Sequence, residues 1–190
     1  RRGMLHIHPS CTIITNIEAD HLDYYKGIED IQDAFSSYVG ALPTTGYCVW
    51  NKEDSGSAHI PSKTKARTCS FGIHEGDLHV EHLVTSEEGM TADVIFRGEK
   101  LGAIRSPLSG AFNMQNILAA MAMALCHNVP FEAISRAISS LQGIGRRFEL
   151  LGEVEGVPVY SDYAHHPTAL YALAHATEEK FGKGNTLIIF

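Results

Sequence analysis

The sequence predicts an α/β fold, in which one domain of ordinary size is followed by the start of a second α/β unit. A short apolar run rich in β-branched residues, from Thr12 to Thr15, is typical of a buried parallel strand. Apolar residues then recur at helical spacing from Ile28 to Leu42, and Pro43 and Gly46 end that pattern. After Gly143 the order strand, helix, strand begins again, which indicates a new unit.

The stretch from residue 46 to residue 106 consists of short, partly alternating apolar runs separated by Gly, Ser and charged residues. Such runs predict antiparallel strands, including hairpins. Two helices are expected next. The first, from Asn113 to Asn128, is apolar nearly all round and should be buried, and the second runs from Pro130 to Leu141 with proline in its first turn.

In the second unit, strands are predicted from Phe148 to Val154 and from Val157 to Ser161, joined by a turn at Glu155-Gly156. A helix follows from Pro167 to Lys180, and a further buried strand from Thr186 to Phe190. The chain opens without methionine and stops inside this last apolar run, so we expect it to be a fragment of a longer protein.

Composition narrows the classes of function. The chain has 190 residues, 44% of them hydrophobic, a formal net charge of −7 and a pI of about 5.8. General nucleic-acid and membrane-surface binders need a basic field, so neither kind of partner is expected. No apolar run is long enough to cross a bilayer. The four cysteines have neither metal-site nor redox-pair spacing and are expected to be reduced thiols, which predicts a cytoplasmic location.

Five polar residues follow the first predicted strand closely: Asn16, Glu18, Asp20, His21 and Asp23. Ligands bind at the carboxyl edge of open α/β sheets, and carboxylates or an imidazole there could bind a hard cation together with phosphate oxygens. The alternative is that Asp20 and Asp23 cap the next helix and that His21 is an ordinary polar loop residue.

Two further clusters lie beside predicted helices. In GAFNMQN, residues 110 to 116, Asn113 and Asn116 stand in the first turn of a helix, where they could bind a base or ribose or simply cap the helix. In GIGRRFE, residues 143 to 149, Arg146 and Arg147 could hold phosphates in bidentate fashion or form a basic linker between domains.

The fourth cluster is YSDYAHHPT, residues 160 to 168, at the end of a strand and the start of a helix. Asp162 could accept a hydrogen bond from a ribose hydroxyl, and His165 and His166 could contact a carboxylate or a metal ion. A zinc site is a weaker alternative, because no third ligand of standard type stands nearby.

The order of these motifs resembles that of the Mur ligase family, over nearly the whole chain. The motifs are T-N-x-x-x-D-H-x-D, G-x-x-N-x-x-N-x-x-A-A, G-x-G-R-R-F-E and D-Y-x-H-H-P-T. The last two are most similar to the members that add L-alanine and to those that recycle murein tripeptide. The resemblance implies that residues 1–146 are a P-loop-type central ATPase domain without its P-loop. That domain would have a mostly parallel sheet with helices on both faces, plus a smaller antiparallel sheet. Residues 147–190 would be the start of a Rossmann-like C-terminal domain.

The same resemblance implies an ATP-dependent ligase in peptidoglycan precursor synthesis. In this family, ATP phosphorylates the carboxylate of a muramic acid, and the amino group of an amino acid attacks the acyl phosphate. The implied partners are UDP-N-acetylmuramate, L-alanine and ATP, with Mg²⁺ as the metal ion.

Individual residues acquire expected roles from the resemblance. His21 matches the residue that binds a magnesium ion, and Asn16, Asp20 and Asp23 would shape the loop around it. The expected nucleotide-binding residues are Asn113 and Asn116 at the adenine, Arg146 or Arg147 at the phosphates, and Asp162 at the ribose. The expected residues at the ligation centre and the incoming amino acid are Tyr163, His165 and His166. The expected catalytic residues are His21, Arg147, His165 and His166.

Three departures from the family pattern matter. The loop G-x-x-G-K-T and the acidic residue expected before Arg1 are absent, so this chain alone is expected to be inactive. Phe112 stands where the family usually has histidine; its ring could pack on adenine but cannot donate a hydrogen bond. The stretch AFSSYV has no lysine, whereas some members that add later amino acids carry a carbamylated lysine there.

Three other functions stay open. The murein tripeptide recycling ligase tends to carry lysine where Gly145 stands, so the glycine favours the alanine-adding type. A non-catalytic nucleotide-binding module would keep the fold without turnover. A metal-dependent hydrolase would use His21, His165 and His166.

Overall fold

The structure is a computed structural model that describes residues 3–86 and 88–189. Six strands form one sheet in sequential order, and two more form a second, antiparallel sheet. The strands of the first sheet are β1 (Cys11–Ile14), β2 (Tyr47–Asn51), β3 (Arg67–Phe71), β4 (Leu78–Ser86), β5 (Gly89–Phe96) and β6 (Glu99–Ser106). The helices of this part are α1 (Ile28–Gly40), α2 (Ala111–Cys126) and α3 (Phe131–Ser139). The second unit contains β7 (Glu149–Val154), β8 (Val157–Ser161) and α4 (Pro167–Phe181).

Helices cover both faces of the parallel part of the sheet. Alternate residues of a strand point to opposite faces. Cys48 of β2 belongs to the apolar cluster that contains Ile31 of α1. Its neighbour Val49 belongs to the cluster that contains Met114 and Leu118 of α2. The strands are therefore apolar on both faces, as in other buried parallel sheets, and the predicted fold class is confirmed.

The prediction that residues 46–106 form only antiparallel strands is wrong for the first part of that stretch. Strands β1, β2 and β3 pair in parallel, and β3 pairs in parallel with β4 through Phe71 and Leu78. Only β4, β5 and β6 form an antiparallel meander. Short apolar runs do not reveal strand direction. The connection over residues 52–66, however, is long enough for the crossover that parallel strands need.

The hairpin of the second unit agrees with its prediction. Strands β7 and β8 pair antiparallel around Glu155 and Gly156, whose positive φ angles of 51° and 82° suit a tight hairpin turn. The predicted strand at 186–190 is not found: residues 186–189 form no strand, and Phe190 lies outside the described residues. Leu187 and Ile189 are 85% and 87% exposed. With no described strand beside it, this segment has no partner for a hydrogen-bond ladder.

Helix α4 packs back onto the first unit. Ala176 is 2% exposed, and the Cβ of a side chain at Gly110 would lie 2.9 Å from the Ala176 Cβ. One turn further on, the Lys180 Nζ donates to the Ser109 Oγ at 3.4 Å. The two units therefore meet at the start of α2. None of the described helices is long and apolar enough to cross a bilayer, and all four cysteines are free thiols.

Candidate functional site

A cavity of about 850 Å³ lies beyond the carboxyl ends of β1 and β2, between the two units. The first unit contributes the loop after β1, the turn after β2 and the start of α2. The second unit contributes Arg147, Asp162 and the first turns of α4. The carboxyl edge of a parallel sheet is where open α/β folds bind ligands, and the volume suits a ligand of nucleotide size.

Of the nine residues expected to have a catalytic, metal-binding or ligand-binding role, the cavity brings together five, which come from the four sequence motifs. They are His21, Asn116, Arg147, Asp162 and His166. Four others do not line it, namely Asn113, Arg146, Tyr163 and His165. The four motifs thus converge on one site, although only some of the polar side chains of each motif line the cavity.

The loop after β1 is anchored at Ile17. Its side chain is 3% exposed, and its N–H donates to the Asp54 Oδ2 at 3.0 Å. Beyond that point the loop is exposed. His21 has a positive φ of 54°, and its imidazole is 75% exposed. The buried anchor and the open tip place His21 at the rim of the cavity.

Asp20 caps the turn at His21 instead of the next helix. The His21 N–H donates to the Asp20 Oδ1 at 2.6 Å, and the His21 Nε2 lies 3.9 Å from the Asp20 Oδ2. This backbone hydrogen bond lowers the pKa of Asp20, and the positive charges that His21, His166 and His165 can carry lower it further. The alternative that Asp20 caps α1 does not hold, because α1 begins only at Ile28.

A contact between an imidazole and a carboxylate joins the two units across the cavity. The His166 Nδ1 lies 3.5 Å from the Glu18 Oε2, and both side chains are about one-third exposed. The Asn16 Nδ2 donates to the Glu18 Oε1 at 3.1 Å, which holds the carboxylate in place. His166 immediately precedes α4, so this contact joins the loop after β1 to the start of α4.

The adjacent arginines differ in their surroundings. The Arg146 guanidinium lies over the Tyr163 ring, 4.6 Å from its centroid, and the Tyr163 N–H donates to the Arg146 carbonyl oxygen at 2.9 Å. The Arg147 guanidinium lines the cavity and makes no ion pair with any residue in the described ranges. Arg147 is therefore the cation available to an anionic ligand. His165 stays with Tyr163, since its Nδ1 lies 2.9 Å from the Tyr163 carbonyl oxygen.

Hydrogen bonds to Asp162 hold the end of β8 against the segment that contains Arg146 and Arg147. Its Oδ2 accepts the Phe148 N–H at 2.8 Å and its Oδ1 accepts the Ala164 N–H at 2.7 Å. Each carboxylate oxygen can accept a second hydrogen bond, so Asp162 can bind a ligand hydroxyl while it keeps both backbone contacts.

The two predicted asparagines of α2 also differ. Asn116 is exposed on the cavity wall. Asn113 is only 8% exposed, and its Nδ2 donates to the Ser109 carbonyl oxygen at 2.8 Å. Phe112 lines the cavity with Asn116. Asn113 thus stabilises the start of α2, and its amide is not presented to a ligand in the cavity.

Sequence reasoning missed several lining residues, among them the polar residues Glu53, Asp54 and Gln115. Glu53 accepts backbone N–H groups from Ile73 at 3.0 Å and from His74 at 2.5 Å. Glu53 and Asp54 follow β2 as closely as the first motif follows β1. If β2 had been predicted to run parallel to β1, Glu53 and Asp54 would have been expected at the same sheet edge as the first motif.

The donor groups of the cavity suit a hard cation that shares its shell with phosphate. The Asp20 carboxylate lies 3.9 Å from the His21 Nε2, and the Glu18 carboxylate also lines the cavity. Within residues 3–86 and 88–189, no three His, Cys, Asp or Glu side chains form a ready-made metal site. A metal ion here would need oxygens from a ligand and from water, which fits Mg²⁺ and does not fit a structural zinc site.

Comparison with known proteins agrees with this arrangement. The chain matches the model of the Mur ligase middle domain over residues 2–124, and that of the Mur ligase, glutamate ligase domain over residues 146–190. The UDP-N-acetylmuramate–L-alanine ligase of Clostridium novyi (strain NT) is 35% identical over 178 residues, which cover 94% of this chain and 39% of that protein. The enzyme of the same name from Aquifex aeolicus (strain VF5) is 33% identical over 189 residues, covering 99% and 42%. The chain thus spans about two fifths of the length of the curated relatives it matches.

Solved structures share the fold. The UDP-N-acetylmuramate–alanine ligase of Thermotoga maritima superposes with a TM-score of 0.81 at 23% identity, covering 94% of this chain and 40% of that chain. MurF of Acinetobacter baumannii also gives 0.81, at 24% identity, covering 93% and 39%. The resemblance inferred from the four motifs is confirmed. Because the middle-domain model alone covers more than half of its residues, this chain belongs to the Mur ligase family.

Proposed function

We propose that this chain is part of an ATP-dependent ligase that joins L-alanine to the carboxylate of UDP-N-acetylmuramate, in cytoplasmic synthesis of peptidoglycan precursors. The observation that carries the proposal is the convergence of His21, Asn116, Arg147, Asp162 and His166 on one cavity between two units. The names of the curated relatives, at 31–36% identity, support the choice of substrates.

In this proposal the nucleotide lies along the wall formed by α2 and the second unit. The Arg147 guanidinium, which has no anionic partner in the described chain, binds phosphate oxygens. Asp162 accepts a ribose hydroxyl, and Asn116 contacts the base. Arg146 stacks on Tyr163 and supports the segment from which Arg147 projects.

In the same proposal, His21 and the Asp20 carboxylate beside it lie where the charge of the reacting groups has to be neutralised. A bound Mg²⁺ supplies positive charge to the phosphate and carboxylate oxygens that crowd together during phosphoryl transfer. The Asp20 carboxylate, 3.9 Å from the His21 Nε2, helps to orient the imidazole that would be a ligand of the ion.

His166 faces the first unit through its Nδ1, next to Glu18. Its Nε2 has no hydrogen-bond partner in the described part of the chain and is available to the amino acid or to the muramoyl carboxylate. Tyr163 and His165 do not line the cavity. We therefore assign them a supporting role, in which they hold the segment between Asp162 and His166.

The proposed reaction passes through an acyl phosphate. The γ-phosphoryl group of ATP is transferred to a carboxylate oxygen, ADP leaves, and the alanine amino group then displaces phosphate. We expect the 190 residues alone to be inactive, because the sequence contains no G-x-x-G-K-T loop to hold the β- and γ-phosphates. We also propose that the boundary between the two units lies between residues 146 and 147.

The test is a ligation assay with the full-length gene product. ADP release should require UDP-N-acetylmuramate, L-alanine and Mg²⁺ together. With ¹⁸O in the muramoyl carboxylate, one label should appear in the phosphate released. ADP release that is independent of alanine would reject the proposed reaction, and unlabelled phosphate would reject the acyl phosphate. Replacing alanine by free murein tripeptide, with UDP-N-acetylmuramate kept as the other substrate, tests the recycling ligase directly.

A further inference from the structure

The carboxylates that line the cavity fall into two groups. Four of them accept hydrogen bonds from backbone N–H groups, at distances between 2.5 and 3.2 Å, and so fix the loops around the cavity: Asp20, Glu53, Asp54 and Asp162. The carboxylate of Glu18 differs from these, because it accepts no backbone N–H group from the residues that the structure describes. Its partners are two side chains, which leaves it a role other than holding a loop.

Glu18 is held at the end of β1 by a short series of hydrogen bonds. Its Oε1 accepts the Asn16 Nδ2 at 3.1 Å, and the Asn16 Oδ1 accepts the Thr15 hydroxyl at 3.2 Å. Thr15 directly follows β1, and the side chain of Ile17 between them is only 3% exposed. The Glu18 carboxylate therefore has a defined position, and its second oxygen, Oε2, faces His166.

His166 has a fixed backbone and a ring that can rotate. It is the N-cap residue of α4, and its carbonyl oxygen accepts the Leu170 N–H at 2.9 Å. The contact that orients the ring is the one between its Nδ1 and the Glu18 Oε2, at 3.5 Å. Catalytic hydrogen bonds are often long before substrate binds and shorten in the complex. Glu18 is thus the carboxylate that can hold this imidazole in one orientation.

This contact also selects a protonation form of the ring. A carboxylate beside Nδ1 favours the neutral imidazole that carries its proton on Nδ1, which leaves a lone pair on Nε2. The Nε2 has no hydrogen-bond partner within residues 3–86 and 88–189, and His166 lines the cavity. His165 lacks both features, since its Nδ1 faces the Tyr163 carbonyl oxygen and it does not line the cavity.

We propose that Glu18 is a positioning residue for the ligation step. Its carboxylate holds His166 with Nδ1 protonated, so that the Nε2 accepts a proton from the ammonium group of the incoming amino acid. The proposal deepens the function above and rests on it, because it concerns the attack of that amino acid on the acyl phosphate. His166 is the group that touches the substrate, and Glu18 acts through it.

The step needs a base because an ammonium nitrogen has no lone pair. One N–H bond of the ammonium group breaks as the Nε2–H bond forms on His166. The freed lone pair forms the N–C bond with the acyl carbon, and the C–O bond to the phosphoryl group breaks. Phosphate leaves with that electron pair and with a second proton from the nitrogen, which gives the neutral amide. The imidazolium then returns its proton to water.

The test replaces L-alanine by hydroxylamine, which is mostly unprotonated at neutral pH and needs no base before it attacks. With the full-length gene product, ATP, Mg²⁺ and UDP-N-acetylmuramate, hydroxylamine converts the acyl phosphate into a hydroxamate, which is measured as its coloured iron complex. Ligation of alanine is measured in parallel. The two reactions share every step up to the acyl phosphate and differ in whether the amine has to lose a proton first.

In His166→Ala, kcat for alanine ligation should fall at least about a hundredfold, the usual contribution of a general base. Glu18→Gln keeps the size of the side chain and an oxygen acceptor for Asn16 but removes the charge. Its kcat should fall about tenfold, since the base is still present but is no longer held in one form. Hydroxamate formation should stay at the wild-type rate in both variants. The double variant should lose no more than His166→Ala alone.

A matched control makes the same change elsewhere on α4. Glu178 is exposed and does not line the cavity, so Glu178→Gln should keep both rates. The side chains of Glu18 and His166 are about one-third exposed, so neither substitution leaves a hole in the core. Circular dichroism checks that each variant is folded.

The outcomes separate the two proposals. Equal losses of alanine ligation and hydroxamate formation in Glu18→Gln would show that Glu18 acts at the metal ion or on the fold, and would overturn its positioning role. Unchanged alanine ligation in that variant, or additive losses in the double variant, would overturn it too. Each of these results leaves the proposed function standing. If the wild-type protein forms neither product, the proposed function itself fails. Amide without hydroxamate would remove the acyl phosphate, and with it the step in which Glu18 takes part.

Discussion

At the scale of single residues, neighbours with the same chemistry have different surroundings. Arg146 and Arg147 are adjacent and identical in type, yet only Arg147 reaches the cavity. Arg146 has a positive φ of 60°, so the backbone turns sharply between the two side chains. The sequence predicted that an arginine would face phosphate but left open which one, because positive φ in a non-glycine residue has no reliable sequence signal.

The arginine pair provides its own control for phosphate binding. Arg147→Ala should weaken ADP binding by roughly tenfold to a hundredfold, since a hydrogen bond to a charged group contributes about 1.5–3 kcal/mol. Arg146→Ala should change it by less than about threefold and should lower the melting temperature instead, because it removes the contact with Tyr163. Calorimetry and thermal melts on both variants decide the matter. The reverse order of effects would assign the phosphates to Arg146.

We propose that His21, which is exposed and has a positive φ of 54°, stabilises a charged transition state. Replacing it by alanine in the full-length gene product should lower kcat by roughly a hundredfold, as loss of one electrostatic contact to a transition state often does. The KM for ATP should change much less. His21→Asn is the matched control, because asparagine tolerates positive φ and offers an oxygen ligand, and it should retain more turnover. Steady-state kinetics at saturating Mg²⁺ provide the test, and an unchanged kcat in the alanine variant would remove His21 from the site.

At the scale of elements, the turn after β2 supports the loop after β1. The Asp54 Oδ2 accepts the Ile17 N–H at 3.0 Å and the Ser57 N–H at 2.8 Å. At Gly56 a Cβ would lie only 1.9 Å from the Ile17 carbonyl oxygen, so the two segments are in close contact. The Gln32 side chain ties the same turn to α1 through the Gly56 carbonyl oxygen at 3.1 Å. The exposed tip at His21 therefore depends on a rigid base.

Asp54→Ala should loosen that loop and destabilise the fold by about 1–3 kcal/mol, the penalty for leaving backbone N–H groups unpaired. Asp54→Asn keeps an oxygen acceptor and should restore most of the loss. The readout specific to the loop is Mn²⁺ affinity in the presence of ADP, measured by electron paramagnetic resonance, which should fall only in Asp54→Ala. Asp77→Ala is the matched control, since the Asp77 Oδ2 also accepts a backbone N–H, that of Ser70 at 2.7 Å, but Asp77 does not line the cavity. If the two alanine variants lose Mn²⁺ affinity equally, the loop has no special dependence on Asp54.

The elements show what local pattern can and cannot predict. Helical spacing placed α1 and the later helices close to their observed positions, because one face of each helix has to be buried. The parallel pairing of β2 and β3 was not predictable, since the residue pattern of an apolar strand does not depend on the direction of the neighbouring strand. The apolar residues at 186–189 favoured a strand, but a strand exists only where another strand pairs with it.

At the scale of the whole molecule, the site depends on how closely α4 packs on the first unit. Its polar contacts across the boundary are weak: the Glu18–His166 pair is partly exposed, and such pairs contribute about 0–1 kcal/mol. The buried contact is the one between Ala176 and Gly110. Sequence periodicity could not reveal the contact between Ala176 and Gly110, because the two residues are far apart in the chain and both are small.

Ala176→Leu tests whether this packing sets the width of the cavity between α2 and α4. A larger side chain has no room beside Gly110, so α4 should move away from α2, at a cost of about 1–3 kcal/mol for overpacking. ADP affinity should fall at least about fivefold, because the lining residues of α2 and α4 move apart, while circular dichroism stays close to that of the wild-type protein. His175→Leu introduces the same side chain one residue earlier, at an exposed position, and should leave ADP binding unchanged. Wild-type ADP affinity in a folded Ala176→Leu variant would show that the first unit binds the nucleotide without α4. The cavity between the units would then not be the nucleotide site.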